Sequence, residues 1–183
     1  MQNKIINGPT ILTLIRILLA IPLLPLMFSE EIGMKIGALG CFVMAGLTDI
    51  IDGVWARGRN KVTDLGAFLD PLADKILVNL VFLGLVTINV ISVYWFVIIL
   101  IRDFSVDGMR MMMARKGKTV SASIFGKIKT VLQMITLGLF LLNMIIMNTV
   151  LNSINYVFLS IALIMTIYSG MDYLVKGWKE LEK

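Results

Sequence analysis

The chain has 183 residues, 58% of them hydrophobic, with a mean hydropathy of +0.89. Ordinary soluble domains stay near about 45–50% apolar, so composition argues against a soluble domain and for an integral membrane protein of one domain, residues 1–183. There is no histidine and a single cysteine, Cys41, and the formal net charge is +5. These features exclude an internal disulfide, leave acid–base and metal chemistry to carboxylates, and suit a lipid bilayer with anionic headgroups as partner, with no nucleic acid.

In chain order, residues 1–9 read as an interfacial segment. Six apolar stretches follow, at 10–28, 34–56, 68–90, 92–113, 130–149 and 155–175. Each is near the roughly 20 residues that cross a bilayer as a helix. Open strands cannot satisfy their backbone in lipid, so the expected fold is all-α, with six transmembrane helices. The first stretch is too long for a cleavable signal, and no A-x-A-like site follows it. Gly33 and Gly37, four apart, predict close approach of a neighbouring helix. Residues 58–65 form a short polar turn, and 114–127 (ARKGKTVSASIFGK) the longest polar stretch. Tyr94, Trp95 and Trp178 are candidate interfacial anchors. Asp172 and Lys176 have the spacing of an ordinary helix pair.

Charge sets the orientation. Lys4, then Arg57, Arg59 and Lys61, then Arg115, Lys116, Lys118, Lys127 and Lys129, then Lys176, Lys179 and Lys183 fall in every second connection, all on one side of the membrane. The opposite loops carry only Lys35. The positive-inside rule places both termini and both basic loops in the cytoplasm.

The second and third stretches meet in DIIDGVWARGRNKVTDLGAFLDPLAD, residues 49–74. On a helix Asp49 and Asp52 share one face with Ala56, and Gly66, Asp70 and Asp74 share another. The turn between them folds the two helices together, so the four carboxylates can converge just inside the membrane boundary. A carboxylate at mid-span costs about 2.5–3.5 kcal/mol, and four would also repel one another. One resolution is pairing with Arg57, Arg59, Lys61 and Lys75 at headgroup level. The other is two divalent ions, whose +4 balances the formal −4. Hard oxygen donors without His or Cys select Mg²⁺ or Mn²⁺, and a metal pair suits displacement at phosphorus. Gly53, Ala56 and Gly66 leave room for a bulky ligand beside the acids. Arg57 could hold a phosphate.

Further on, Arg102 and Arg110 lie eight apart on the fourth helix, near one face, and Lys127 and Lys129 open the fifth on the same side. Either they form a basic pocket for a phosphate monoester, or the arginines pair with Asp103 or Asp107 while the lysines serve topology.

The 49–74 stretch resembles the signature of the CDP-alcohol phosphatidyltransferases, D-x2-D-G-x2-A-R-x8-G-x3-D-x3-D. Asp49, Asp52, Gly53, Ala56, Arg57, Gly66, Asp70 and Asp74 fill every position. The resemblance implies six transmembrane helices, a homodimer and a polar cavity open to the cytoplasm. It implies two metals on the four aspartates, with Asp74 as general base, and a CDP moiety at Asp49, Gly53, Ala56, Arg57 and Gly66. IRDFSVDGMR (101–110) and SASIFGKIKTVLQ (121–133), with NGPTILTLIRILLAIP (7–22) and SGMDYLVKGW (169–178), are similar to the phosphatidylglycerophosphate-synthase branch. Asp103 stands where that branch usually has Glu, and Thr10 where many members have Asn.

The resemblance therefore implies an enzyme of a bacterial inner (plasma) membrane. It would take CDP-diacylglycerol and glycerol 3-phosphate, binding the acceptor's phosphate at Arg102, Arg110, Lys127 and Lys129. Rival expectations are the same chemistry on another alcohol, such as inositol phosphate or phosphatidylglycerol, and a cation transporter using the aspartates as its ion site.

Overall fold

The computed structural model describes the backbone of residues 8–59, 64–118 and 123–182. It also describes their side chains, apart from those of 8–10, 12, 49–59, 64–71 and 74. Seven helices occupy the described residues: α1 (Gly8–Ala20), α2 (Leu23–Phe28), α3 (Ile32–Arg59), α4 (Asp64–Thr87), α5 (Val93–Arg115), α6 (Ile124–Ile146) and α7 (Thr149–Glu182). The first apolar stretch is thus two helices. Pro22 has no N–H to continue the ladder of α1, and its carbonyl instead accepts from Leu26 at 3.1 Å, starting α2.

Helix ends follow local chemistry. The Ser123 hydroxyl accepts from the Gly126 N–H at 3.3 Å and caps α6. Part of the 114–127 polar stretch is therefore helix. Met147, at φ 54°, closes α6 in the left-handed region. The Asn148 side chain then accepts from Val150 and Leu151 at 2.8 and 3.0 Å and starts α7. α7 has 34 residues, about 51 Å at 1.5 Å per residue, and overruns the predicted 155–175 at both ends.

Helix α1 packs on α3 and α4, α6 on α3 and α7, and α5 on α7 and α4. The main core joins Leu23, Met27, Phe42, Leu77, Phe82, Leu85, Leu137 and Phe140. A smaller cluster of Val106, Met109, Met113 and Tyr173 locks α5 to the end of α7. Of the two glycines expected to admit a neighbour, Gly37 does so: a Cβ there would lie 3.6 Å from Leu26 of α2. Gly33 faces open space.

The outside is apolar too. Leu18, Ile21, Ile101, Phe104, Val150 and Ile164 are all more than half exposed, an arrangement that water does not favour over whole helix faces. Among the described residues, Ile124–Ile146 and Thr149–Glu182 are long and apolar enough to cross a membrane. Shorter apolar stretches run Thr13–Phe28, Ile32–Thr48 and Lys75–Thr87.

Candidate functional site

A cavity of about 320 Å³ opens between α4, α5, α6 and α7. Helical spacing builds its walls. Arg102, Val106 and Arg110 repeat every four residues on α5, and Ser169 and Tyr173 do the same on α7. The first turns of α6 add Gly126, Lys127, Lys129, Thr130 and Gln133, and α4 adds Lys75 and Val78. All four basic residues singled out in the sequence, Arg102, Arg110, Lys127 and Lys129, line this one space.

The pairing alternative is also partly realised. Asp103 Oδ1 accepts from Arg102 Nη1 at 2.9 Å and from Lys129 Nζ at 2.7 Å. Lys75 of α4 pairs with Asp107 of α5. Arg110 does not join either acid; its guanidinium lies 5.9 Å from the centre of the Tyr173 ring, a cation–π stack. Lys127 is exposed and makes no ion pair among the described residues. Among the described residues the lining therefore holds five cationic side chains against two carboxylates. Such an excess in a partly enclosed space attracts a multiply charged anion.

Beneath the cations runs a polar seam inside the bundle. Arg102 Nη2 donates to Ser169 Oγ at 3.0 Å, and Ser169 donates to the Thr166 carbonyl at 3.1 Å. Gln133 Nε2 donates to Thr166 Oγ1 at 3.2 Å. Gln133, Thr166 and Ser169 are each at most 1% exposed. Their hydrogen bonds are what makes this burial tolerable.

Sequence reasoning missed Ser169, Tyr173 and Lys75 as parts of this space. The four-residue spacing of Ser169 and Tyr173 was visible, but not which helix α7 would face. Outside this space it also passed over two buried polar residues, Arg16 and Thr13. They are 1% and 0% exposed on α1, the helix that packs on both α3 and α4.

The aspartates fall as follows. Asp49 and Asp52, with Gly53, Ala56 and Arg57, lie on the last turns of α3. Gly66, Asp70 and Asp74 lie on the first turns of α4. Both stretches are helical, so their spacings put each acid pair on one helix face. Only residues 60–63 separate the two helices. Asp74 immediately precedes Lys75, a cavity-lining residue. The side chains of these eight residues lie outside those described. As a donor set, four carboxylates without His, and with Cys41 more than two turns away on α3, fit hard divalent cations.

The family described as CDP-alcohol phosphatidyltransferase matches residues 6–168. The CDP-diacylglycerol–glycerol-3-phosphate 3-phosphatidyltransferase of Bacillus subtilis is 38% identical over 141 residues, 77% of this chain and 73% of that protein. The protein of the same name from Rickettsia bellii is 38% identical over 170 residues, 91% of this chain and 93% of its own. That of Shigella flexneri is 35% identical over 176 residues, 92% and 93% of the two chains.

Proposed function

The chain belongs to the CDP-alcohol phosphatidyltransferase family, and from that premise we propose that it transfers the phosphatidyl group of CDP-diacylglycerol to glycerol 3-phosphate. The products are phosphatidylglycerophosphate and CMP. The observation that carries the choice of acceptor is the cationic cavity, because an unphosphorylated alcohol would leave its charge unanswered.

Arg102, Arg110, Lys127 and Lys129 bind the phosphate of glycerol 3-phosphate and leave its primary hydroxyl free. Arginine offers a planar fork and lysine a compact charge, so both kinds of contact are available. Asp74, one residue before Lys75, accepts the proton of that hydroxyl. The oxygen attacks the phosphorus bearing diacylglycerol, the bond to CMP breaks, and CMP leaves. Asp49, Asp52, Asp70 and Asp74 would hold two divalent ions, Mg²⁺ or Mn²⁺. When bound, these supply charge neutralisation at the diphosphate. Gly53, Ala56 and Gly66 leave space for the nucleotide, and Arg57 holds a phosphate. With neither His nor a nearby Cys, a single direct displacement is the favoured route.

The protein acts as a homodimer of six-span subunits in a bacterial plasma membrane, with both termini and the cavity cytoplasmic. The charge asymmetry of the loops supports this orientation.

The test is CMP release by protein purified in detergent, with CDP-diacylglycerol and Mg²⁺, across a panel of alcohols and with or without EDTA. Metal-dependent release with glycerol 3-phosphate is expected. Release only with an unphosphorylated alcohol would sink the reading of the cavity. Release that persists in EDTA would sink the metal assignment.

A further inference from the structure

The reaction as written has no use for Asp103, yet Asp103 is the hub of the cavity. Its side chain is 11% exposed, and its Oδ1 accepts from two cations on two helices, Arg102 of α5 and Lys129 of α6. Those cations are themselves only 15% and 7% exposed. Arg102 is tied on to a third helix, α7, through Ser169. Its stem lies so close to α7 that a Cβ on Gly170 would sit 2.6 Å from Arg102 Cγ.

The hydrogen-bond inventory shows what this leaves. A guanidinium has five N–H donors and an ammonium three. Arg102 spends one donor on Asp103 and one on Ser169, and Lys129 spends one on Asp103. Each cation keeps donors in a cavity that both line. Without the carboxylate, two buried like charges would sit side by side with nothing to hold them together, Arg102 keeping only its bond to Ser169. The flexible lysine stem would then lose its fixed position.

We infer that Asp103 is a positioning residue for the acceptor: it gathers Arg102 and Lys129 on one oxygen, so that their remaining donors meet the same phosphate. The inference rests on reading the cavity as the phosphate end of the acceptor site. If only the field of the cavity mattered, removing a carboxylate would add positive charge and tighten an anion. If position matters, removal weakens binding.

The experiment is steady-state kinetics of Asp103→Asn with each substrate varied in turn, beside thermal unfolding with and without inorganic phosphate. The KM for glycerol 3-phosphate is expected to rise by about tenfold to a hundredfold, the scale of a small misplacement of binding groups. The KM for CDP-diacylglycerol should not move. Phosphate should raise the melting temperature of the wild type and do so less for the variant. Asp103→Glu should recover most of the loss.

An unchanged or lowered KM for glycerol 3-phosphate in folded Asp103→Asn protein overturns the inference. If that variant does not fold, Asp103→Ser, a smaller polar replacement at the same position, is read the same way. The two failures are separable. A wild type that ignores both glycerol 3-phosphate and inorganic phosphate removes the reading of the cavity, and this inference with it. A wild type that uses them, with variants that behave like it, removes the inference alone.

Discussion

Arg102 lies against Gly170, and that contact shows how much a single methyl group can matter. A Cβ at Gly170 would meet Arg102 Cγ at 2.6 Å, near the root of a side chain held at its far end by Asp103 and Ser169. A stem pinned in this way cannot slide aside. Gly84 offers the contrast. There the added Cβ meets Cε and Sδ of Met27 at 2.7 and 2.9 Å, the loose end of an adaptable thioether. Gly170→Ala is therefore expected to cost about 1–3 kcal/mol from overpacking, and to raise the KM for glycerol 3-phosphate. For Gly84→Ala, in the last turn of α4, a propensity gain of at most about 1 kcal/mol over glycine offsets a cheap adjustment, leaving stability nearly unchanged. Melting curves of both variants in one detergent decide this. At Asp74 the expectation is chemical rather than steric: Asp74→Asn should abolish turnover while the protein elutes and melts like wild type. Normal turnover in that variant would remove Asp74 as the base.

Between elements, the bundle is held by polar contacts that hydropathy does not reveal. Gln133 of α6 reaches Thr166 of α7, and Asn155 of α7 donates to the Leu139 carbonyl at 3.3 Å. In lipid such bonds contribute modestly, on the order of 0.6 kcal/mol each, but they fix which helix faces meet. The end of α7 is tied differently. Lys116 and Lys118, just past α5, donate to the Leu181 and Glu180 carbonyls at 3.3 and 2.5 Å. Cations at the negative end of a helix contribute roughly 0.3–1 kcal/mol apiece. Replacing both with Met should speed amide exchange in the last turn of α7 by roughly threefold to thirtyfold, the same free energy read as local opening. Exchange at the wild-type rate would show that these contacts do not hold the helix end. The pair Asp172–Lys176, expected from spacing, forms at 2.8 Å; it is exposed and adds little.

For the molecule as a whole, orientation is the property that most constrains function, because glycerol 3-phosphate is a cytoplasmic, water-soluble anion in the proposed reaction. In a Cys41→Ser background, Lys183→Cys should react with an impermeant maleimide only in inside-out vesicles. Asn89→Cys, in the exposed turn between α4 and α5, should react only in right-side-out vesicles. The reverse pattern would put the cavity on the wrong side of the membrane. A mixed pattern would break the assignment of six spans.

What the sequence determined alone is the class of molecule, its run of apolar helices and the kinds of side chain in its cavity. Hydropathy is a local sum, and helical spacing converts residue number directly into a shared face, so Arg102 with Arg110 was legible without any fold. Even there, local signals needed the structure to show Pro22 splitting the first helix and Ser123 starting α6 early. What only the tertiary structure decided is which charges meet. Lys129 and Asp103 are 26 positions apart, and Arg102 and Ser169 are 67 apart. Their contacts depend on how α5, α6 and α7 turn toward one another. That rotation is set by packing over the whole bundle, and no spacing within one helix encodes it.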